Sequence, residues 1–216
     1  MNIPIEEIIH LLHKASYGVL ATQSTQVPGY PFASILPFVL DEQQRPVFLI
    51  SGLAEHTKNV LADHRTSFLV ASPGGHNILT DARVTLVGDM QHCEATEELV
   101  ARYLRYQPDA SQFLKLRDFA FFRLTPKSAR YVAGFGRMGW VEESVWVQAA
   151  TLPLADEEKL FQELLEVLPM GIRLLGLDCY GADLDRHGER ERQVFHDAPI
   201  DTKNAVEAMK RLLVAM

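Results

Sequence analysis

A chain of 216 residues, 47% apolar and 23% charged, has room for one large domain or an ordinary domain plus a small one, and its composition excludes a disordered or fibrous class. Its formal net charge of −7 sets the overall field against a nucleic-acid backbone and an anionic membrane face alike. Two cysteines, Cys93 and Cys179, make neither a disulfide framework nor a CxxC metal spacing, and both are expected as reduced thiols.

Pro4 followed by Ile5, Ile8, Ile9, Leu11 and Leu12 predicts an amphipathic opening helix over 4–15. Its acidic start is unlike a signal peptide, and no apolar run approaches the ~20 residues that cross a bilayer, so a cytoplasmic location is expected. Residues 17–22, 32–40, 47–51, 67–71 and 82–90 are short, β-branched or aromatic, and separated by turn residues. They predict a closed antiparallel sheet. A short helix in the stretch 54–64 interrupts it between the third and fourth strands. A second helix is expected over 94–106, with acids in its first turn and arginines later. Strands over 119–124 and 129–135 flank Thr125-Pro126, which reads as a turn. Residues 149–155, small and centred on Pro153, read as a linker. Beyond it the pattern predicts a helix (156–168), a strand (171–179), a glycine-punctuated turn region, a strand (192–196) and a closing helix (202–215). The fold class is therefore α+β: an antiparallel β-barrel with flanking helices over 1–150 and a small α/β domain over 151–216.

Several motifs bear on chemistry. Gly134 to Gly139 spells GxGxxG after a strand, but the segment that follows, with Trp140 and Trp146, reads as irregular or extended rather than helical, and no βαβ unit surrounds it. Glycines in a sharp bend with positive φ explain it better than a dinucleotide site. The run Ser51-Gly52-Leu53-Ala54-Glu55-His56-Thr57-Lys58-Asn59 passes from a strand end into a helix start and suits an anion held by free N–H groups. Its plain alternative is a helix capped by Thr57 with Lys58 in water. Arg83, on an otherwise apolar strand, must face solvent or a ligand. Ser34 and Pro37 interrupt another apolar strand, and Pro37 belongs at an edge or bulge. His10 and His13, one helical turn apart, read as an exposed pair without a third metal ligand, irrelevant to ligand binding. His76, His187 and His196 are better placed to meet a ligand. No serine or cysteine sits in a hydrolase nucleophile context.

In order and spacing, four motifs together resemble the pyridoxamine 5′-phosphate oxidase-like FMN-binding split barrels: Gly29-Tyr30-Pro31-Phe32-Ala33-Ser34, Ser51 to Asn59, Asp81-Ala82-Arg83-Val84-Thr85-Leu86-Val87-Gly88, and Tyr131-Val132-Ala133-Gly134-Phe135-Gly136-Arg137. Within that superfamily the chain is similar to the haem-utilisation (HugZ-type) branch, whose small C-terminal domain is matched by Asp178 to Leu184, Phe195 and a last helix. The resemblance implies a split barrel and a homodimer with two FMN sites at the subunit interface. Ser34, Ser51, His56, Thr57, Asn59 and Arg83 would then face the cofactor, with Thr57, Lys58 and Arg83 on its phosphate and Arg137 and Met138 approaching from the glycine bend. The chain departs from the vitamin oxidases, lacking their arginine-rich FMN strand and C-terminal Arg/His motif, so pyridoxamine phosphate oxidation is not expected. Haem-degrading relatives use a histidine outside the barrel core, which makes His187 and His196 haem-ligand candidates. Two functions follow as expectations: a flavin-dependent oxidoreductase acting on a small-molecule ligand, or a non-enzymatic haem or tetrapyrrole binder with an axial histidine.

Overall fold

The computed structural model describes residues 3–214 apart from His76, Ile78, Phe135 and Glu166. In chain order it contains α1 (Ile5–Lys14), β1 (Tyr17–Gln23), β2 (Pro31–Pro37), β3 (Val39–Leu40), β4 (Pro46–Ser51), α2 (Glu55–Ala62), β5 (Arg65–Ala71) and β6 (Arg83–His92). Then follow α3 (Glu97–Tyr106), α4 (Ala110–Phe113), β7 (Phe119–Val132), β8 (Met138–Glu142) and α5 (Glu143–Val147). The chain continues with α6 (Leu154–Leu165), β9 (Ile172–Asp178), β10 (Gly181–Arg186), β11 (Glu189–Val194) and α7 (Thr202–Val214).

The first sheet has eight antiparallel strands in the order β2-β1-β5-β6-β7-β4-β3, with β8 added to β7. Its two outermost strands, β2 and β3, are joined by Phe38 alone, so the sheet curls until its edges meet through the chain. The result is an α+β fold built on a curled, split antiparallel barrel. Strict alternation along β5 and β6 sends Phe68, Val70, Val84, Leu86 and Met90 inward. Phe38, Phe48 and Phe68 meet at the centre, with Phe68 edge-on to the other two at centroid separations of 5.1 and 5.0 Å.

Thr125-Pro126 is not a turn. β7 runs unbroken through it, pairing with β4 over Phe119–Arg123 and with β8 over Ser128–Val132 on the same edge. Pro126 falls in the gap between those partners, where the β6 register shifts at Val87/Gly88. A residue without an N–H is tolerated there. The expected strand over 32–40 is likewise divided into β2 and β3, with Pro37 ending an edge strand. The glycine bend has positive φ at Gly134 and Gly136 (81° each), and the chain after it is extended as β8 and then makes one helical turn at α5.

The C-terminal unit is a meander, β11-β10-β9, carrying α6 and α7. The region read as a glycine-punctuated turn contains β10, and the second expected strand is β11, ending at Val194. β10 pairs along its whole length with β11. Buried residues of this unit, including Leu174, Leu177, Leu184 and Met209, join the barrel residues in one apolar core. The free edge of β9 is covered by side chains: Arg105 Nε donates to Leu175 O (2.9 Å), Leu177 N to Glu157 Oε1 (2.8 Å), and Arg102 Nη1 to Leu177 O (3.4 Å).

α1 touches β3, β5 and β6 of the barrel on one side and β11 on the other. That placement corrects the reading of His10 and His13 as an exposed pair. His13 is 3% exposed, and His10, half-buried, stacks edge-on to Tyr180 and receives Arg192 Nε at 3.4 Å. A helix between two layers buries more than one stripe, and His13 follows Ile9 by four residues.

Candidate functional site

Cross-strand pairing assembles a continuous outward face on β2-β1-β5-β6-β7-β8. One row runs Ile35, Val19, Leu69, Thr85, Arg130, Trp140, and the next Ala33, Ala21, Ser67, Val87, Ser128, Glu142. A third brings Ala71, Arg83, Val132 and Met138 into line. Small side chains at Ala21, Ala33, Ser67, Ala71 and Ser128 alternate on this face with exposed large apolar groups: Tyr17, Ile35 (67%), Leu69, Val87, Met138 and Trp140 (55%). The Arg130 guanidinium lies over the Trp140 ring, 5.7 Å from its centroid. An apolar sheet face of this breadth in water marks a surface that meets a ligand or another chain.

The second element is the entry to α2. Ser51 Oγ donates to Asp118 Oδ2 (2.6 Å) and accepts from Leu53 N (3.1 Å). Thr57 is buried and donates its hydroxyl proton to Ser51 O (2.6 Å); the residue at the helix cap is Ala54, not Thr57. Asn59, fully buried, accepts Thr25 N (2.9 Å) and Thr25 Oγ1 (3.0 Å) and donates to Thr22 Oγ1 (3.0 Å), locking the β1–β2 turn to the helix. His56 is half-buried, and burial pushes its imidazole toward the neutral form. Lys58 is exposed beside Glu55 at 3.8 Å. The backbone N–H groups of Glu55 and His56 open the helix, where no intrahelical acceptor reaches them.

The nine barrel residues singled out from sequence thus fall in different places. Arg83 and Met138 share the outward face. Ser34 points inward from β2, its hydroxyl oxygen buried with no hydrogen-bond partner among the described residues. Thr57 bonds Ser51 at the end of β4, Ser51 itself bonds Asp118, and Asn59 bonds Thr22 and Thr25. Arg137 projects from the β7–β8 bend and pairs with Glu7 of α1. On the C-terminal unit, His187 occupies the β10–β11 turn at φ 56°, and His196, with its side chain 99% exposed, rims an open pocket of about 530 Å³ that Phe195, Ile200, Arg211 and Leu212 also line. His76 lies outside the described residues. Sequence reasoning missed Tyr17, Ile35, Leu69, Arg130 and Trp140. The available signal was that strands such as 17–22 and 32–40 are apolar on both faces, which an outer barrel wall in water does not need.

A family model described as the CREG β-barrel matches residues 9–148. The chain belongs to the CREG β-barrel family. The matched span carries the CREG-type barrel with both elements above and stops short of α6. The chain is 36% identical over 133 residues to the heme oxygenase HOZ, a chloroplastic protein of Arabidopsis thaliana; the match covers 61% of this chain and 40% of HOZ, less than half of that protein's length. The structure of a heme binding protein from Mycobacterium smegmatis superposes with a TM-score of 0.63 at 26% identity, covering 100% of this chain and 98% of that one. A protein of unknown function from Agrobacterium tumefaciens superposes at 0.76 with 21% identity, covering 100% and 96%, and shows the same fold over the full length. No helix among the described residues is long and apolar enough to cross a membrane.

Proposed function

We propose that this CREG-type chain binds haem on the outward face of β2-β1-β5-β6-β7-β8, with a second copy of the chain closing the site. The outward face itself carries this reading. Small residues at Ala21, Ala33, Ser67, Ala71 and Ser128 let a flat macrocycle approach the sheet, and Ile35, Leu69, Met138 and Trp140 supply apolar walls. Arg83 and Arg130 stand on the same face with the charge that propionates require. The haem oxygenase and haem-binding relatives support the ligand class. Bound haem supplies iron for oxygen or electron chemistry. The chain's own residues bind and orient the macrocycle and exclude water from it. His196, beside its pocket, is the axial-ligand candidate on the C-terminal unit, which we take as a small domain over 151–216 packed on the barrel.

Titration of the purified protein with hemin tests the reading. A saturable Soret band with one haem per chain, weakened when Arg130 is replaced by Ala, is expected. Absence of a saturable band overturns it. Light scattering at micromolar concentration is expected to give twice the 24.3 kDa chain mass.

A second reading, a flavin-dependent oxidoreductase holding FMN, is favoured by Arg83 on the outward face and by the open helix start at Glu55 and His56. The flavin when bound would supply electron transfer. Arg83, Lys58 and the α2 N–H groups would hold its phosphate, and the same apolar face its ring.

A further inference from the structure

At the seam between the barrel and the C-terminal unit lies a cluster of ionised side chains closed to water. His13 from α1 places Nδ1 2.5 Å from Asp183 Oδ2 and Nε2 2.8 Å from Asp178 Oδ2, with Gln44 Oε1 also 2.8 Å from Nε2. Arg192 Nη2 contacts both oxygens of Asp178 at 2.8 Å, and its Nη1 reaches Asp183 Oδ1 at 3.2 Å. Tyr106 Oη donates to Asp183 Oδ2 (2.6 Å), while Tyr180 N and Gly181 N donate to Asp178 Oδ1 (2.7 and 3.0 Å). The four charged side chains are 0–4% exposed.

Both nitrogens of His13 face carboxylate oxygens, which only accept. Each nitrogen must therefore donate, and only the imidazolium has two donors. Two cations, His13 and Arg192, then balance two anions, Asp178 and Asp183. Loss of the His13 proton would leave one uncompensated buried charge and turn a nitrogen lone pair against a carboxylate. Other ionisable groups are close by. On α1, His10 and Lys14 flank His13. Behind Asp183, Tyr106 of α3 leads to the buried Arg102–Glu157 pair. Burial favours the neutral imidazole and Arg192 acts in the same sense, but Asp183 and Asp178 outweigh them and hold His13 above its ordinary value.

We propose that His13 is a proton-operated latch that fastens the C-terminal sheet to the barrel while it is charged and loosens that docking as the solution becomes alkaline. The latch joins α1 to the end of β9 at Asp178 and to the paired Asp183 and Arg192 within β10 and β11, so its release acts on this seam and not on the barrel strands. It is independent of which ligand the outward face takes.

Hydrogen exchange on the full chain between pH 6 and pH 10, corrected for intrinsic rates, tests it. The stabilising contribution is complete below the ordinary imidazole value and lost as pH rises through the raised one. The opening equilibrium of β10 and β11 should therefore rise by up to about tenfold per pH unit above pH 6.5. Protection in β5 and β6 should stay level, and in His13→Gln the β10–β11 protection should be flat over the same range. Nitrogen-detected ring spectra of the wild type at pH 7 should show both His13 nitrogens protonated. A neutral tautomer at pH 7, β10–β11 protection that does not change with pH in the wild type, or equal loss in β5 and β6 each overturns the proposal. The spectra decide it should His13→Gln fail to fold.

Discussion

Arg102 of α3 and Glu157 of α6 meet in an ion pair whose side chains are 2% and 1% exposed, and each also bonds the backbone of β9 at Leu177. One pair of residues thus joins a barrel helix, a C-terminal helix and the edge of the second sheet. Glu157→Gln should destabilise the chain by about 3–5 kcal/mol, because it strands a buried guanidinium. Replacing both with Met and Leu should cost distinctly less. Urea denaturation of the two variants checks the order; equal losses would mean that the contact acts through packing alone.

Asn59→Ala removes two hydrogen bonds from α2 to Thr25 in the β1–β2 turn and one to Thr22 of β1, and leaves the Thr25 N–H without its acceptor. A loss of about 2 kcal/mol in unfolding free energy is expected, again from urea titration. A silent change would show that water replaces the amide there.

Arg83 and Thr57 separate cleanly. Arg83→Ala should weaken FMN by about 2–4 kcal/mol and leave riboflavin, which lacks the phosphate, nearly unaffected. The Thr57 proton is committed to Ser51 O, so Thr57→Val should cost about 1 kcal/mol of stability and leave FMN affinity unchanged. Titrations of apo protein with both flavins decide. Unchanged FMN binding in Arg83→Ala removes that residue from the site.

Acid titration should reveal two phases. Burial, reinforced by Arg192, lowers His10 to about 4, so the folded state favours its neutral form. Its contribution is present above the ordinary value of about 6.5 and drains away as pH falls toward 4. Below that, Asp178 and Asp183 take over. Although burial raises them, Arg192 and His13 hold both well under the carboxylate range, and their contribution disappears as they are protonated. Melting temperatures from pH 7 to pH 3 should fall in both intervals for the wild type, and His10→Gln should flatten the first. An unaltered profile in that variant would assign the upper phase elsewhere.

The barrel was readable because its strands alternate between side chains that fill an interior and side chains that do not. Gly181-Ala182-Asp183-Leu184-Asp185 was not readable as a strand, since glycine and aspartate disfavour β structure unless something compensates. The compensation is remote: Asp183 is buried because Arg192, His13 and Tyr106, 9, 170 and 77 residues away, satisfy it. Pro126 misled for a related reason, as its tolerance depends on a gap between two partners of β7. Arg83 was legible as a residue that had to face a ligand or solvent. The surface it belongs to was not, because rows across six strands exist only once register is fixed.

The covering of β9 by Arg105, Glu157 and Arg102 bears on how the protein behaves at high concentration. A bare strand at the margin of a three-stranded sheet is a template onto which another chain can add by backbone pairing. Here Leu175 O, Leu177 N and Leu177 O are already engaged by long charged side chains from helices encoded on either side of the linker. Shortened chains lacking α3 would uncover that margin, and β9, whose Leu174, Leu175 and Leu177 are apolar, would then be free to recruit copies of itself into growing ribbons.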